Sequence, residues 1–415
     1  MRASDSGSAC VMLSQIGSAK MLKFGSGYSG NVNSAAAMRE AVLQADADQA
    51  TVLIIHTTVG HNFGPMLAAA SETCPHTAIV GCTGSGVIYS HGVSETMRAL
   101  AVMSIAGPEV AVIFRDGLTR SNGRGLVAEA AQELQGKLDG INVILLYTPG
   151  LDVTCDEVLA GIESVFGREV PIVGGLAADN AKVKSSFQFY GQSVTEHGLL
   201  LVGLADPGLE LLSMASHGSR PVGEPFVVTA AEGSQVQQLD GLPAWPKVMQ
   251  RLGLPAETSP VQAIPLAALG IEIDSAARDD YNNSHIMRAA LQTDGTGGFY
   301  LNSRVRVGTK LFLMHRDEEK IFAGVTQMMS RMATMVDGRE VVAVFHADCL
   351  ARGRQSLDRV SKDEIIAKLQ RPLIGDREVP WLGLYGYGEF CPLMGRNSLH
   401  TFTSALFPLV RQPAI

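Results

Sequence analysis

Two cysteines, an arginine and a glutamate have the types and the neighbours to do chemistry in this chain. Cys349 opens the run Cys-Leu-Ala-Arg-Gly-Arg, with Arg352 and Arg354 behind it and His346 three residues ahead. Guanidinium groups beside a thiol favour its thiolate, and a nucleophile also needs a base within reach. Cys82, inside a glycine-rich turn, is a second candidate. The plainer reading of Cys349 is a small buried residue at a strand end. Arg352 has another use, because its planar fork matches a carboxylate in bidentate fashion. Its structural alternative is an ion pair with Glu389. That acid directly follows Gly388 and is placed to meet an amino group, a cation or Arg352.

The glycines around these residues recur. Residues 79–88 and 381–390 share one pattern, with Gly81, Gly84 and Gly86 matching Gly383, Gly386 and Gly388. A looser copy, Pro171 to Gly175, keeps the strand and carries Gly174 and Gly175. Glycine lets another backbone or a ligand come close. Such turns at strand ends are expected to line a pocket with backbone N–H groups, a seat for an anionic head group. The copies differ chemically: Val87 stands where the last copy has Glu389.

The elements that must position these turns also repeat. Thr51–Thr58 reads as a buried strand, 63–73 as a helix, 79–88 as the turn and Leu100–Ala106 as a closing strand. The order returns with Asn142–Thr148, a helix from Asp156 to Phe166, the turn at 171–175 and Leu199–Leu204. A third pass runs from Val341–His346 through a helix and the 381–390 turn to Ala405–Leu409. Thr154 with Glu157, and Ser361 with Glu364, are spaced as capping boxes. These patterns predict an α/β (mixed α+β) fold, in which repeated strand-helix-strand-strand units form two sheet-and-helix sandwich domains. Pro and Gly cluster over 207–224 and mark a boundary. Residues 1–26 read as a polar leader, 27–215 as the first domain, 216–238 as an interdomain segment and 239–410 as the second. The stretch 255–340 is less periodic, with antiparallel hairpins expected from Gly295.

Bulk properties exclude several functions. The 415 residues are 46% hydrophobic and carry a net charge of −8, which argues against a nucleic-acid partner. No apolar run is long enough to insert in a membrane, and no signal peptide is evident. The six cysteines (10, 74, 82, 155, 349, 391) form no C-x-x-C pair and read as reduced thiols of a cytoplasmic protein. Gly25-x-Gly27-x-x-Gly30 matches a dinucleotide fingerprint, but the plainer reading is a loop before a helix capped by Asn33 or Ser34. His56 and His61 read as ordinary polar residues at a strand end rather than metal ligands. No metal and no cofactor are expected.

The motifs resemble the FIST (F-box and intracellular signal transduction) sensory family, with its N- and C-terminal domains. The resemblance rests on Gly81-Cys82-Thr83-Gly84-Ser85-Gly86, on Gly174 to Asp179, and on Arg220-Pro221-Val222-Gly223 through Leu239-Asp240-Gly241-Leu242. Cys349-Leu-Ala-Arg352-Gly353, Gly388-Glu389-Phe390 and His400-Thr401-Phe402-Thr403 complete it. It covers about residues 27 to 408. The family's first turn usually carries Glu where this chain has Val87. The resemblance implies a sensor of a small molecule, an amino acid or related metabolite, that signals through a separate protein. It points to Gly81, Cys82, Thr83, Gly174, Gly175, Cys349, Arg352, Gly386, Gly388 and Glu389 as ligand-binding residues. The alternatives are a cysteine-dependent enzyme and a ligand-free interaction scaffold.

Overall fold

The computed structural model describes residues 21–412 apart from Ala267, Gln355 and Asp376, and leaves the side chains of Asp279 and Asp280 undescribed. The first twenty residues of the expected leader, with Cys10, lie outside the described set.

The first unit runs β1 (Lys23–Ser29), α1 (Ser34–Gln44), β2 (Val52–Thr57), α2 (Phe63–Thr73), β3 (Ala78–Thr83), the hairpin β4 (Val87–Tyr89) and β5 (Gly92–Ser94), and β6 (Leu100–Ala106). The second runs β7 (Val110–Arg115), α3 (Gly123–Lys137), β8 (Val143–Thr148), α4 (Cys155–Phe166), β9 (Ile172–Leu176), the hairpin β10 (Gln188–Tyr190) and β11 (Ser193–Thr195), and β12 (Leu199–Leu204). The third opens with β13 (Glu210–Leu211) and β14 (Met214–Ser216). An insertion interrupts it: β15 (Ser219–Glu232), β16 (Gln235–Leu239), β17 (Leu242–Pro243), α5 (Ala244–Leu252), α6 (Pro260–Ala263), β18 (Ala268–Glu272), α7 (Ser275–Tyr281), β19 (His285–Thr293), β20 (Phe299–Leu301) and β21 (Lys310–Arg316). The unit then resumes with α8 (Glu318–Val336), β22 (Glu340–Cys349), α9 (Arg359–Ile374), β23 (Trp381–Gly386), the hairpin β24 (Glu389–Leu393) and β25 (Arg396–His400), and β26 (Ser404–Arg411).

The thrice-used unit and the mixed α/β class are as the sequence reads. Each unit forms a sheet in which β2 and β3, β8 and β9, or β22 and β23 run parallel. Strand residues alternate between two cores. Val52 and Ile54 join Val143, Leu145, Ala343 and Phe345 in a core common to the three sheets. Leu53 and Ile55 face α1 and α2, whereas Ile144, Leu146 and Val344 face the other helices. Period-2 alternation in strands that are apolar on both faces gives the continuous apolar runs of β2, β8 and β22.

The hairpins tie the units into a ring. The hairpin of the second unit adds to the first sheet, that of the third to the second sheet, and that of the first to the third. The β3, β9 and β23 edges are thereby covered by neighbours within the chain. A buried ion pair locks one junction: Lys362 Nζ on α9 lies 2.5 Å from Glu95 Oε2, just beyond β5.

The insertion is a closed antiparallel barrel in the order β15-β21-β18-β19-β20-β16, with β16 pairing back onto β15. The 14-residue β15 pairs with β21 over its first part and with β16 over its last. Trp245, Val248 and Met249 of α5 fill the barrel core against Phe226 and Phe299. The hairpin set expected from Gly295 forms only in part. β20 and β21 are strands of this barrel, but they pair with β16 and β19 and with β15 and β18 rather than with each other. Residues 305–307 form no strand, and Glu318–Val336 is helix α8.

Two expected caps differ. Thr154 stands at the α4 N-cap but its side chain makes no capping bond. Its hydroxyl reaches Ser234 Oγ at 3.5 Å, and Glu157 pairs with Arg304 at 2.7 Å, so contacts with the barrel displace the local box. The cap of α9 is Asp358, whose Oδ1 accepts the Ser361 N–H at 3.0 Å. Asn33 caps α1 as read, accepting from Ala36 N. The Gly25-x-Gly27 match lies within β1, where a Cβ on either glycine would sit about 2 Å from a carbonyl oxygen of α1 or its C-cap. Those glycines serve helix packing.

Candidate functional site

The three glycine turns meet one another. Ser85 N–H donates to Tyr385 O at 2.8 Å and Tyr385 N–H to Gly86 O at 3.0 Å, joining the first turn to the third. Tyr387 N–H donates to Leu176 O at 3.1 Å and Leu176 N–H to Gly388 O at 2.9 Å, joining the third to the second. Ala178 N–H donates to Thr83 O at 2.9 Å and closes the ring. These amides are committed to each other. Gly81, Gly174 and Gly383 occupy one equivalent place, where a Cβ would lie 2.0, 2.1 and 2.7 Å from the carbonyls of Ile55, Leu146 and His346. Gly386 likewise admits Leu176 O, which a Cβ would approach to 2.5 Å.

Beside the third turn, the carboxyl ends of the parallel strands β22 and β23 face the barrel. Open α/β sheets seat ligands at such ends. Cys349 ends β22, Arg352 sits in the 3₁₀ turn that follows, and Glu389 begins β24, paired with Gly175 of β9. Arg352 is 3% exposed and Glu389 fully buried. Arg352 Nε donates to Asp348 Oδ1 at 2.9 Å, so the expected pairing with Glu389 is replaced by one with Asp348. Glu389 Oε2 accepts the Thr403 hydroxyl at 2.5 Å and its N–H at 3.3 Å. Arg352 Nη2 and Glu389 Oε1 are left without a partner.

The barrel supplies the other wall. Arg288 of β19 donates from Nη1 to Met287 O at 2.8 Å and Leu399 O at 3.0 Å, while its Nε is unpartnered. Arg316, at the end of β21, is half-buried, and Arg352 acts on it electrostatically. The Tyr281 ring lies between two histidines, 5.4 Å from His217 and 5.2 Å from His400. His400 Nε2 faces Cys391 O at 3.0 Å and must carry the proton, so Nδ1 accepts the Tyr281 O–H at 3.1 Å. Glu389, Arg288 and Arg352 all act on the Tyr281 phenol.

Burial governs the charge states. It pushes the Glu389 carboxyl well above its ordinary value, with Asp348 adding to the rise; the Thr403 bonds and Arg352 oppose it. Burial also holds His217 and His400 at about 3, so both rings are neutral. Arg316 is lowered to about 10 by burial, with Arg352 adding repulsion. The Cys349 thiol is pushed up by burial and by Glu389, against the expectation that the nearby arginines lower it. Its base candidate, His346, bonds Ser404 Oγ at 2.9 Å instead.

Of the residues singled out in the sequence, Cys349, Arg352, Gly175, Gly386, Gly388 and Glu389 come together here, with Gly174 one residue along β9. Cys82 lies in the core common to the three sheets, where burial pushes its thiol up, and Gly81 lets β3 approach Ile55 O. Thr83 Oγ1 accepts the Phe187 N–H at 2.9 Å. Asp348, Arg288, Arg316, His217 and Tyr281 escaped sequence reasoning. Arg288 had a signal, a charge within the apolar run His285–Leu291. A separate open cleft of about 900 Å³ lies between α3 and the barrel, lined by Arg120, Arg124, Tyr300 and Arg304, and holds none of the predicted ligand-binding residues. Among the described residues no metal-binding cluster occurs, and no helix is long and apolar enough to cross a membrane.

A ring of α/β units with a buried polar seam against an inserted barrel defines the class. The FIST N domain matches residues 51–242 and the FIST C domain residues 247–392, and the chain belongs to the FIST family. FIST domains are sensory domains implicated in signal transduction. An uncharacterized protein of Mycobacterium tuberculosis (strain ATCC 25618 / H37Rv) is 24% identical over 343 residues, 82% of this chain and 86% of its own length. One of Mycobacterium bovis is 24% identical over 375 residues, 88% of this chain and 91% of that protein. Among solved structures, a cyanuric acid hydrolase is similar over 94% of this chain and 100% of its own at 10% identity, with a TM-score of 0.34. That likeness is too distant to carry activity across.

Proposed function

We propose that this protein is a small-molecule sensor whose ligand, an amino acid or related metabolite, binds at the seam between the third unit and the barrel. The observation that carries the reading is the pair of buried, unpartnered atoms Arg352 Nη2 and Glu389 Oε1 on adjoining segments. Buried polar groups without partners are rare and costly, and a ligand that satisfies them is stabilised by what it repairs. Arg352 takes a carboxylate, and Glu389 bonds a second polar group. The glycine turns act by packing the ring that holds Cys349, Arg352 and Glu389 in place.

The seam is closed, so entry requires the barrel to move. Its two tethers lie side by side, with Asp317 N–H bonded to Gly218 O at 3.1 Å, and Gly218 has a φ of 120°, which favours glycine. Barrel movement about this point is the signal passed to a separate protein in the cytoplasm. Among the described residues, Cys74, Cys82, Cys155, Cys349 and Cys391 are buried and form no disulfide, which supports a reducing setting.

A thermal-shift screen over amino acids and small carboxylates tests the reading. A ligand at about 100 times its Kd should add roughly 2.7 kcal/mol of stability. Arg352→Met should abolish that shift, and a shift that survives in the variant refutes the site. Thiol labelling tests the enzyme alternative: Cys349 should react slowly in the native protein at pH 7, and rapid labelling that a metabolite blocks would favour catalysis.

A further inference from the structure

We infer that the ligand carries two carboxylates and no required amine: a small dicarboxylate rather than a neutral amino acid. The inference rests on the seam being the ligand site and deepens that reading.

Three guanidinium groups converge on the seam, Arg288 and Arg316 from the barrel and Arg352 from the third unit. Of their described neighbours, only Asp348 forms an ion pair with any of them, and it holds one edge of Arg352. Arg288 is 9% exposed and spends Nη1 on two carbonyls, with no carboxylate partner and a bare Nε. Arg316 makes no side-chain hydrogen bond or ion pair among the described residues. Asp156 acts on Arg288 and Glu318 on Arg316 without pairing with either. His217 and His400 are neutral. Glu389 has its free oxygen in this same buried space, where burial favours the neutral acid.

Asp348 pairs with one of the three cations, whereas the buried Arg288 and the half-buried Arg316 have no ion-pair partner among the described residues. Buried charges need partners, and nothing described in the chain supplies them. Two carboxylates do. One sits between Arg352 Nη2 and Arg316, the other on Arg288 Nε, with the neutral Glu389 donating its O–H to a carboxylate oxygen. A neutral amino acid supplies only one anionic group and adds an ammonium for which no ionised acid is free.

The experiment is calorimetric titration of the full chain with the straight dicarboxylates from oxalate to adipate, against butyrate and alanine. At least one dicarboxylate should bind ten or more times tighter than butyrate or alanine. Arg316→Met should bring it down to the butyrate level and leave the melting temperature of the free protein unchanged or raised. Arg288→Met is the second variant and should act on affinity alike. Butyrate or alanine binding as tightly as every dicarboxylate, with Arg352→Met abolishing both, overturns the inference and leaves the site standing. A dicarboxylate that binds all three arginine variants as well as wild type overturns the site and the inference together. Silence from the whole panel overturns the inference, and the wider screen then judges the site alone.

Discussion

Asp348 holds the Nε edge of Arg352 at 2.9 Å and leaves the Nη2 edge of the same guanidinium without a partner. The acid therefore orients the fork without using it up. Both side chains are nearly inaccessible, so neither can fall back on water. Asp348→Asn should destabilise the protein by about 3–5 kcal/mol, because it strands a buried cation. Adding Arg352→Met should restore much of the loss. Urea denaturation of the two single variants and the double variant measures the coupling, and a coupling near zero contradicts the pairing.

Glu389 should make stability depend on pH in one direction. Its carboxyl is raised in the folded state, mainly by burial, above an ordinary value of 4.5. Below that value both states hold the proton and the full stability is present. As pH rises toward the raised value, the unfolded state ionises and the folded state does not, so stability falls. The slope reaches about 1.4 kcal/mol per pH unit for one proton. Glu389→Gln removes this slope, so the variant should gain on wild type as pH rises above about 5 toward the raised value. Denaturation at several pH values reads it, and a constant difference would contradict a buried neutral acid.

Gly174 has a φ of 139°, and an added Cβ would lie 2.1 Å from Leu146 O on the neighbouring parallel strand. Strain and overlap act together there. Gly174→Ala should cost about 3 kcal/mol or more, and Gly140→Ala, where a Cβ meets nothing within 4 Å, should cost much less despite its φ of 72°. Comparing the two by thermal melting separates the overlap from the backbone preference.

Glu95 and Lys362 test the exchanged hairpin. They meet at 2.5 Å across 267 residues of chain, and Arg354 N–H also donates to the same carboxylate. Lys362→Met alone strands a buried acid and should cost about 3–5 kcal/mol. With Glu95→Gln added, the loss should shrink, as read by urea denaturation. Equal losses in the single and double variants would place the pair outside the interface.

Local patterns settled the local structure. The runs Leu100–Ala106 and Leu199–Leu204 are read from the sequence with the bounds of β6 and β12, and Phe63–Thr73 is the helix expected there. Their signals are internal to the segment, set by side-chain size, branching and the limits that Pro and Gly impose. The triple unit follows from their order. Cys349, Arg352 and Glu389 were legible as a group because their types carry charge or reactivity next to a glycine turn. The tertiary structure decided the rest. Cys349 becomes an inert thiol because burial outweighs its arginine neighbours, and Arg352 pairs with Asp348 because both ride one strand end. The glycine amides bind one another because three distant turns meet at one place. Arg288 and Arg316 reach the seam only because β15 bends from β21 to β16 and closes a barrel. Nothing in a segment encodes which other segment its hairpin joins. That choice belongs to edges, cores and charges that exist only once the chain has closed on itself.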